Sequence, residues 1–142
     1  RAGQLLAGSE CVFCFCTINC LSKRVKNRIW IRLARTSRSS RIAGICTGAY
    51  VLADFGLLDN RNCTIHWEYA DFFKERFPDA RLVDSLIQTD GKYMTCAGGT
   101  SALDLMIGFV AQVHGGAVAA DVAEIALHHD WRSGNERQHK HM

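Results

Sequence analysis

The five residues Gly44-Ile45-Cys46-Thr47-Gly48 constrain this chain more than any other stretch. They close the apolar run "RIAGIC" and open the helical pattern "TGAYVLADF". A short continuous apolar run reads as a strand buried on both faces of a parallel sheet. Passing at once from such a strand into a helix drives the middle residue of the turn toward forbidden backbone angles. Flanking glycines remove the Cβ atoms that would clash there. Glycines two positions either side of Cys46 therefore predict a strand–turn–helix elbow with the thiol at its tip. The alternative is a small cysteine buried in an ordinary loop, as free cysteines often are.

On an elbow the surroundings of Cys46 carry chemistry. The amides of Thr47 and Gly48 face the same space as the sulfur and could hold an oxyanion. The start of a helix favours an anionic sulfur. Such a thiol can attack, sense or bind. Attack needs a base within about 3 Å. His66, at the end of the next predicted strand "CTIHW", is the candidate if that strand lies beside the first. The alternative is a histidine hydrogen-bonded in its own strand-to-helix turn, holding Trp67 and Glu68.

The remaining pattern alternates strands with helices. Arg28 to Arg38 is predicted as an amphipathic helix, with Arg28, Arg32 and Arg35 opposite Ile29, Trp30 and Leu33. "TSRSS" is a loop, and Gly56 ends the helix that starts at Thr47. "EYADFFKERF" places Tyr69, Phe72, Phe73 and Phe77 at helical spacing, and Pro78 stops it. Asp90-Gly91 between two strand-like runs predicts a hairpin. Gly98-Gly99 then turns into "TSALDLMIGFVAQV", where Ser101-x-x-Asp104 has the form of a capping box. Asp104 is thus expected to cap its own helix, with orientation of a histidine as the alternative. "GGAVAADVAEIALHH" is a last helix, and "DWRSGNERQHKHM" a polar tail expected to fray. His128-His129 and His139-x-His141 read as exposed tail histidines, and Cys63 and Cys96 as core. This order predicts a three-layer α/β/α sandwich around a mostly parallel, flavodoxin-like sheet. Ligands in such folds collect at the C-terminal ends of strands, where Cys46 and the Gly98-Gly99 turn would fall.

The 142 residues, 48% hydrophobic and 22% charged, suffice for one soluble domain with a core. No run approaches 18 apolar residues, which argues against a helical membrane span, and no signal-peptide order is present. The cytoplasm is the expected compartment. Seven cysteines, an odd count, exclude a fully paired disulfide framework within one chain. The net charge of +3 divides unevenly: residues 1–53 carry +8 and the remainder −5. The basic stretch after residue 22 would suit nucleic acid, or a solvated helix face, which its spacing favours. "CVFCFCTINC" offers Cys11, Cys14, Cys16 and Cys20 at spacings that thiolates on zinc require. No second ligand pair stands at finger spacing, and alternation with Val and Phe also reads as a short buried strand. Neither metal nor cofactor is therefore expected, and residues 1–25 stay unassigned, a non-native segment among the alternatives.

Several motifs recur together in a known order. "GICTGAYVLADFGLLDNRNCTIHWEYADFFKERFPDARL", "TCAGGTSALDLMIGF" and "HGGAVAADVAE" resemble the ThiJ/PfpI superfamily, which shares the class I glutamine-amidotransferase-like fold. Cys-Thr-Gly-Ala followed by Gly-Leu-Leu-Asp, Thr-x-His-Trp and Arg-Phe-Pro resembles one branch, the amidase-like sensor domain of GlxA-type, AraC-family transcriptional regulators. Regulators of arginine, carnitine and glycine-betaine catabolism are the nearest in kind. The resemblance runs from about Arg28 to about Gln138. It implies a ligand sensor for a small amine or carboxylate metabolite, bound over Cys46, Thr47, Gly48, His66, Gly98 and Gly99. It also implies a homodimer that meets DNA only through a helix-turn-helix module not among these residues. The family places more βα units before the elbow than 45 residues can hold. Its catalytic members bring an acid from an early strand to the cysteine, whereas only Glu10 precedes Cys46 here. These departures imply a sheet incomplete at its N-terminus, a partial sensor domain over 26–138 and a tail over 139–142. They favour a sensor over the alternative, a Cys46-dependent hydratase, amidase or hydrolase.

Overall fold

The computed structural model describes residues 41–138, together with the strand at 12–15 and residues 32 and 35. The central sheet consists of β1 (Val12–Phe15), β2 (Arg41–Ile45), β5 (Ile87–Asp90) and β6 (Tyr93–Cys96), in the order β1-β2-β6-β5. β2 pairs in parallel with β1 on one side and with β6 on the other. Ile42 and Ala43 are fully buried, as a strand with two parallel neighbours requires. β5 returns antiparallel to β6, with Asp90 opposite Tyr93 and Gly91 at φ 61° in the connecting turn. The mostly parallel sheet and the hairpin at Asp90-Gly91 are thus both present.

Consecutive residues of β2 supply the two faces of the sheet. Ile42 packs with Ala49, Val51 and Leu52 of α1 (Gly48–Asp54) and with Phe73 of α2 (Ala70–Arg76). Ala43 packs with Met94, Cys96 and Leu105, the last from α3 (Ser101–His114). Helices therefore cover both faces, giving the three layers. α4 (Gly116–Ile125) lies on α3 through Ile107, Ala119 and Ala123. Gly56 ends α1 as expected. Its amide donates to the Ala53 carbonyl and that of Leu57 to the Leu52 carbonyl, a closure that needs the positive φ of 68° at Gly56.

Three expectations fail. The strand over "CTIHW" stops at Cys63. β3 (Asn62–Cys63) pairs only with β4 (Arg81–Leu82), in a separate two-stranded ladder outside the central sheet. Side chains take the ladder's place: the Thr64 amide donates to Thr95 Oγ1 at 2.9 Å, and the Thr64 hydroxyl to the Ser85 carbonyl at 2.7 Å. Asp104 does not cap α3; Thr100 stands at the N-cap without a side-chain cap bond.

The tail through residue 138 is also tied down rather than frayed. The Leu86 amide donates to the Glu136 carbonyl at 2.8 Å and that of Ile87 to the Gly134 carbonyl at 3.1 Å. Gly134 permits this approach, since a Cβ there would lie 2.5 Å from the Ile87 Cβ. The Gln138 side chain donates to the Ile65 and Ser85 carbonyls and to Thr64 Oγ1, and accepts from the Trp67 amide. Composition alone reads such a segment as solvated, but its carbonyls satisfy amides at a sheet edge. In the cysteine-rich segment, strand structure holds for Val12–Phe15, while Cys11, Cys16 and Cys20 lie outside the described residues. So do His139, His141 and most of the helix expected over Arg28–Arg38, of which Arg32 and Arg35 are helical and exposed.

Candidate functional site

Cys46 follows directly on β2 with φ 55°, left-handed backbone that costs a non-glycine residue about 1 kcal/mol. The neighbouring glycines make the bend feasible. A Cβ on Gly44 would lie 3.0 Å from both the Ala49 nitrogen and Leu52 Cδ1, so only glycine lets α1 fold back against the strand. The Cys46 amide donates to the Cys96 carbonyl at 3.0 Å, carrying the β2–β6 ladder one residue past the strand and pinning the turn. The sulfur is half-buried. Among the described residues, neither the Thr47 nor the Gly48 amide donates a hydrogen bond.

The turn after β6 closes over this elbow. Gly98 has φ 93°, and a Cβ there would lie 2.6 Å from the Cys46 Cβ and 3.1 Å from its Sγ. Gly98 is thus required twice, by its backbone angle and by the sulfur above it. Gly99, at φ 58°, has open space where a Cβ would go. The Ser101 hydroxyl donates to the Gly98 carbonyl at 2.7 Å and holds the turn. Cys46, Thr47, Gly48, Gly98 and Gly99 accordingly meet at the C-terminal ends of β2 and β6.

His66 stands on another segment. The neighbours of β2 are β1 and β6, and His66 caps the single turn that leads into α2. Its Nδ1 accepts from the Glu68 amide at 3.3 Å, and its ring lies 5.5 Å from that of Trp67. Among the described residues no hydrogen bond links His66 to Cys46. The other two described thiols are core: burial, reinforced by Asp90, pushes Cys63 up to about 11, and burial also pushes Cys96 up. The polar groups of Gly98, Cys46 and Ser101 around the Cys96 sulfur partly offset that rise.

A second cluster takes up the alternative stated for Asp104, contact with a histidine. The Asp104 carboxylate is 0% exposed, and four groups converge on it. His128 Nε2 lies 2.6 Å from Oδ1, and the Arg132 amide donates to Oδ1 at 3.0 Å. Arg132 Nε and Nη2 reach Oδ2 at 2.9 and 2.7 Å, and Nη2 also reaches Thr100 Oγ1 at 2.7 Å. Burial pushes this carboxyl up, but the bonds from His128 and Arg132 outweigh it and hold it below its ordinary value. The signal was present in the sequence: Ser101, Asp104, Leu105 and Ile107 form the buried stripe of α3, and a carboxylate on such a stripe must have partners. A cavity of about 540 Å³ opens beside this cluster, between β5, α3 and residues 131–135, with Met94, Phe109 and Trp131 in its wall. None of the predicted site residues lines it. Among the described residues no group of three or more His, Cys, Asp or Glu side chains could hold a metal ion, and no helix is long and apolar enough to cross a membrane.

A mostly parallel sheet that delivers a positive-φ cysteine to a helix start, under a glycine turn from the adjacent strand, defines a class of α/β elbow proteins. The particular family follows from the sequence: the model of the DJ-1/PfpI family matches residues 23–112, and the chain belongs to that family. The HTH-type transcriptional regulator CdhR of Pseudomonas aeruginosa is 46% identical over 83 residues, 58% of this chain and 25% of that protein. GlxA of Rhizobium meliloti, also an HTH-type transcriptional regulator, is 45% identical over 97 residues, 68% of this chain and 30% of that protein. The chain thus spans about a quarter to a third of these relatives. Among solved structures, an AraC family transcriptional regulator from Pseudomonas putida superposes with TM-score 0.67 at 26% identity, over 89% of this chain and 67% of that one. Drosophila melanogaster DJ-1beta does so with TM-score 0.70 at 20% identity, over 88% and 68%, a likeness of fold.

Proposed function

We propose that this chain is the ligand-sensing part of a bacterial AraC-family transcriptional regulator. The observation that carries the reading is a half-buried Cys46, held at φ 55° beneath Gly98, in a chain 46% and 45% identical to two HTH-type regulators over 83 and 97 residues. The ligand is a small amine or carboxylate metabolite that settles over Cys46 and Gly98-Gly99, with the Thr47 and Gly48 amides as donors. His66 takes part from the rim, through the turn that it caps. Binding changes the geometry of a homodimer in the cytoplasm, and operator contact falls to a helix-turn-helix module outside these residues.

A protection experiment tests this. Iodoacetamide alkylation of Cys46 is timed in the presence of a panel of amino acids, polyamines and quaternary-ammonium carboxylates, alongside thermal unfolding. A compound that both slows alkylation and raises the melting temperature is the expected result. Turnover of an amide or isonitrile that disappears in Cys46→Ala would instead establish the cysteine-enzyme alternative. Specific, salt-resistant binding of operator DNA by this chain alone would overturn the assignment of DNA contact to a separate module.

A further inference from the structure

The cavity of about 540 Å³ separates α3 from β5 and has no part in the elbow. Its floor belongs to the core. Met94 and Leu105 are 2% and 4% exposed and pack with Ala43 and Cys96, yet both line the cavity. The space therefore runs inward from the surface, and its volume lies within the range of about 300–1,000 Å³ that small-molecule sites occupy. Residues 131–135 form the outer wall and are fixed from two sides. The Arg132 amide donates to Asp104 Oδ1 at 3.0 Å, and the Gly134 carbonyl accepts from the Ile87 amide at 3.1 Å. Trp131 Cζ3 lies 3.6 Å from the position that a Gly108 Cβ would occupy, so the indole rests against α3 where the helix has no side chain. The ring remains 36% exposed and lines the cavity with Phe109. A wall fixed before any guest arrives leaves little ordering cost to binding.

Charge narrows the guest. Among the described residues the wall holds two charged side chains, Asp104 and Arg132, and these are bonded to each other at 2.7 and 2.9 Å. A charged guest would give up water and meet no free countercharge. Gln112 and Asn135, both exposed at the rim, instead offer carboxamides that donate to and accept from neutral groups.

We propose that this cavity is a ligand site separate from the elbow, and that it takes an uncharged aromatic molecule carrying a carbonyl or hydroxyl group. The guest's ring lies against Trp131 and Phe109 above Met94 and Leu105, where ring–ring and sulfur–ring contacts add to apolar burial. Its oxygen bonds the carboxamides at the rim. Cys46, Thr47, Gly48, Gly98 and Gly99 do not line this cavity, so it fills whether or not the elbow is occupied.

The probe is prodan, an uncharged naphthyl ketone whose emission shifts to the blue in apolar surroundings, titrated into the full chain. Anilinonaphthalene sulfonate is its charged counterpart. The expected result is saturable binding of one prodan per chain, about tenfold or more tighter than the sulfonate. Trp131→Ala removes a wall, and Gln112→Trp, at an exposed position, fills the mouth without touching the core. Each should weaken prodan by about tenfold or more, and the second keeps the test sound should the first fold poorly. Alkylation of Cys46 with iodoacetamide should leave prodan affinity unchanged, as should Ile125→Ser in the exposed apolar end of α4. Failure to saturate, equal binding of the sulfonate, or affinity that survives both wall variants would overturn the proposal. So would loss of prodan binding on alkylation, which would place the guest at the elbow, or in Ile125→Ser, which would place it on α4.

Discussion

The turn that joins β6 to α3 serves two regions with opposite habits. On one side stands Cys46, at φ 55° and half-buried, followed by two amides that donate no hydrogen bond among the described residues. On the other stands Asp104, fully buried, with every contact of its carboxylate filled by His128 and Arg132. The first region keeps strain and open donors; the second tolerates neither. Strain of about 1 kcal/mol survives in a native structure only where the surroundings over-determine it, and here Gly44 and Gly98 do so. An unpartnered buried carboxylate would cost several times as much, so Asp104 draws in a residue from beyond α4 and one from the tail. The comparison separates a strained turn from the satisfied polar cluster at the start of the helix that follows it.

The largest expected effect tests the second region. Asp104→Ala leaves Arg132 and His128 facing an empty space and should lower the unfolding free energy by about 3 kcal/mol, read from urea denaturation. An unchanged midpoint would mean that the cluster contributes little to holding the turn. Gly98→Ala comes next, at about 2 kcal/mol, because its new Cβ overlaps Cys46 as well as taking an unfavourable angle. Gly99→Ala has the angle but not the overlap and should cost about 1 kcal/mol. Equal losses at the two glycines would contradict the close approach of Gly98 to the sulfur.

The acid limb of stability should follow Asp104. Its carboxyl is held low in the folded state, so the unfolded chain takes up the proton first. The stabilisation is present above the ordinary carboxylate value of about 3.9 and is lost as pH falls through the folded value. Asp104→Asn should flatten that limb in a series of thermal melts. The smallest effect belongs to the elbow: Cys46→Gly relieves the strained angle and should leave stability unchanged or raise it by up to about 1 kcal/mol. Cys96→Ala, in the packed core, should lower it by about 1 to 2 kcal/mol.

Much of the frame was legible because it rests on local rules. The glycine spacing around Cys46, the cap at Gly56 and the turn at Asp90-Gly91 each reflect backbone angles that few residues adopt, and each stands where its residues predict. The position of His66 was not legible. "CTIHW" has strand composition, but Thr64 spends its hydrogen bonds on Thr95 and Ser85, which are 31 and 21 residues away. The cap reading of Asp104 failed and its alternative, a histidine contact, held: Ser-x-x-Asp satisfies a local pattern, while the partners His128 and Arg132 lie in a segment whose composition suggests solvent. Long-range polar pairing leaves no periodic trace, so side chains that bind the backbone of remote segments escape a reading based on spacing.

That polar segment bears on how the molecule behaves in company. β5 is the outermost strand of the sheet, and residues 134 and 136 occupy the amides along its rim. A bare rim is a template on which a second chain can add its own strand, and then a third. By laying its own backbone there, the protein denies strangers the first rung of such a ladder. Residues 134–136 are therefore a guard against strand addition at this rim, and removing them would leave the Leu86 and Ile87 amides open to another chain.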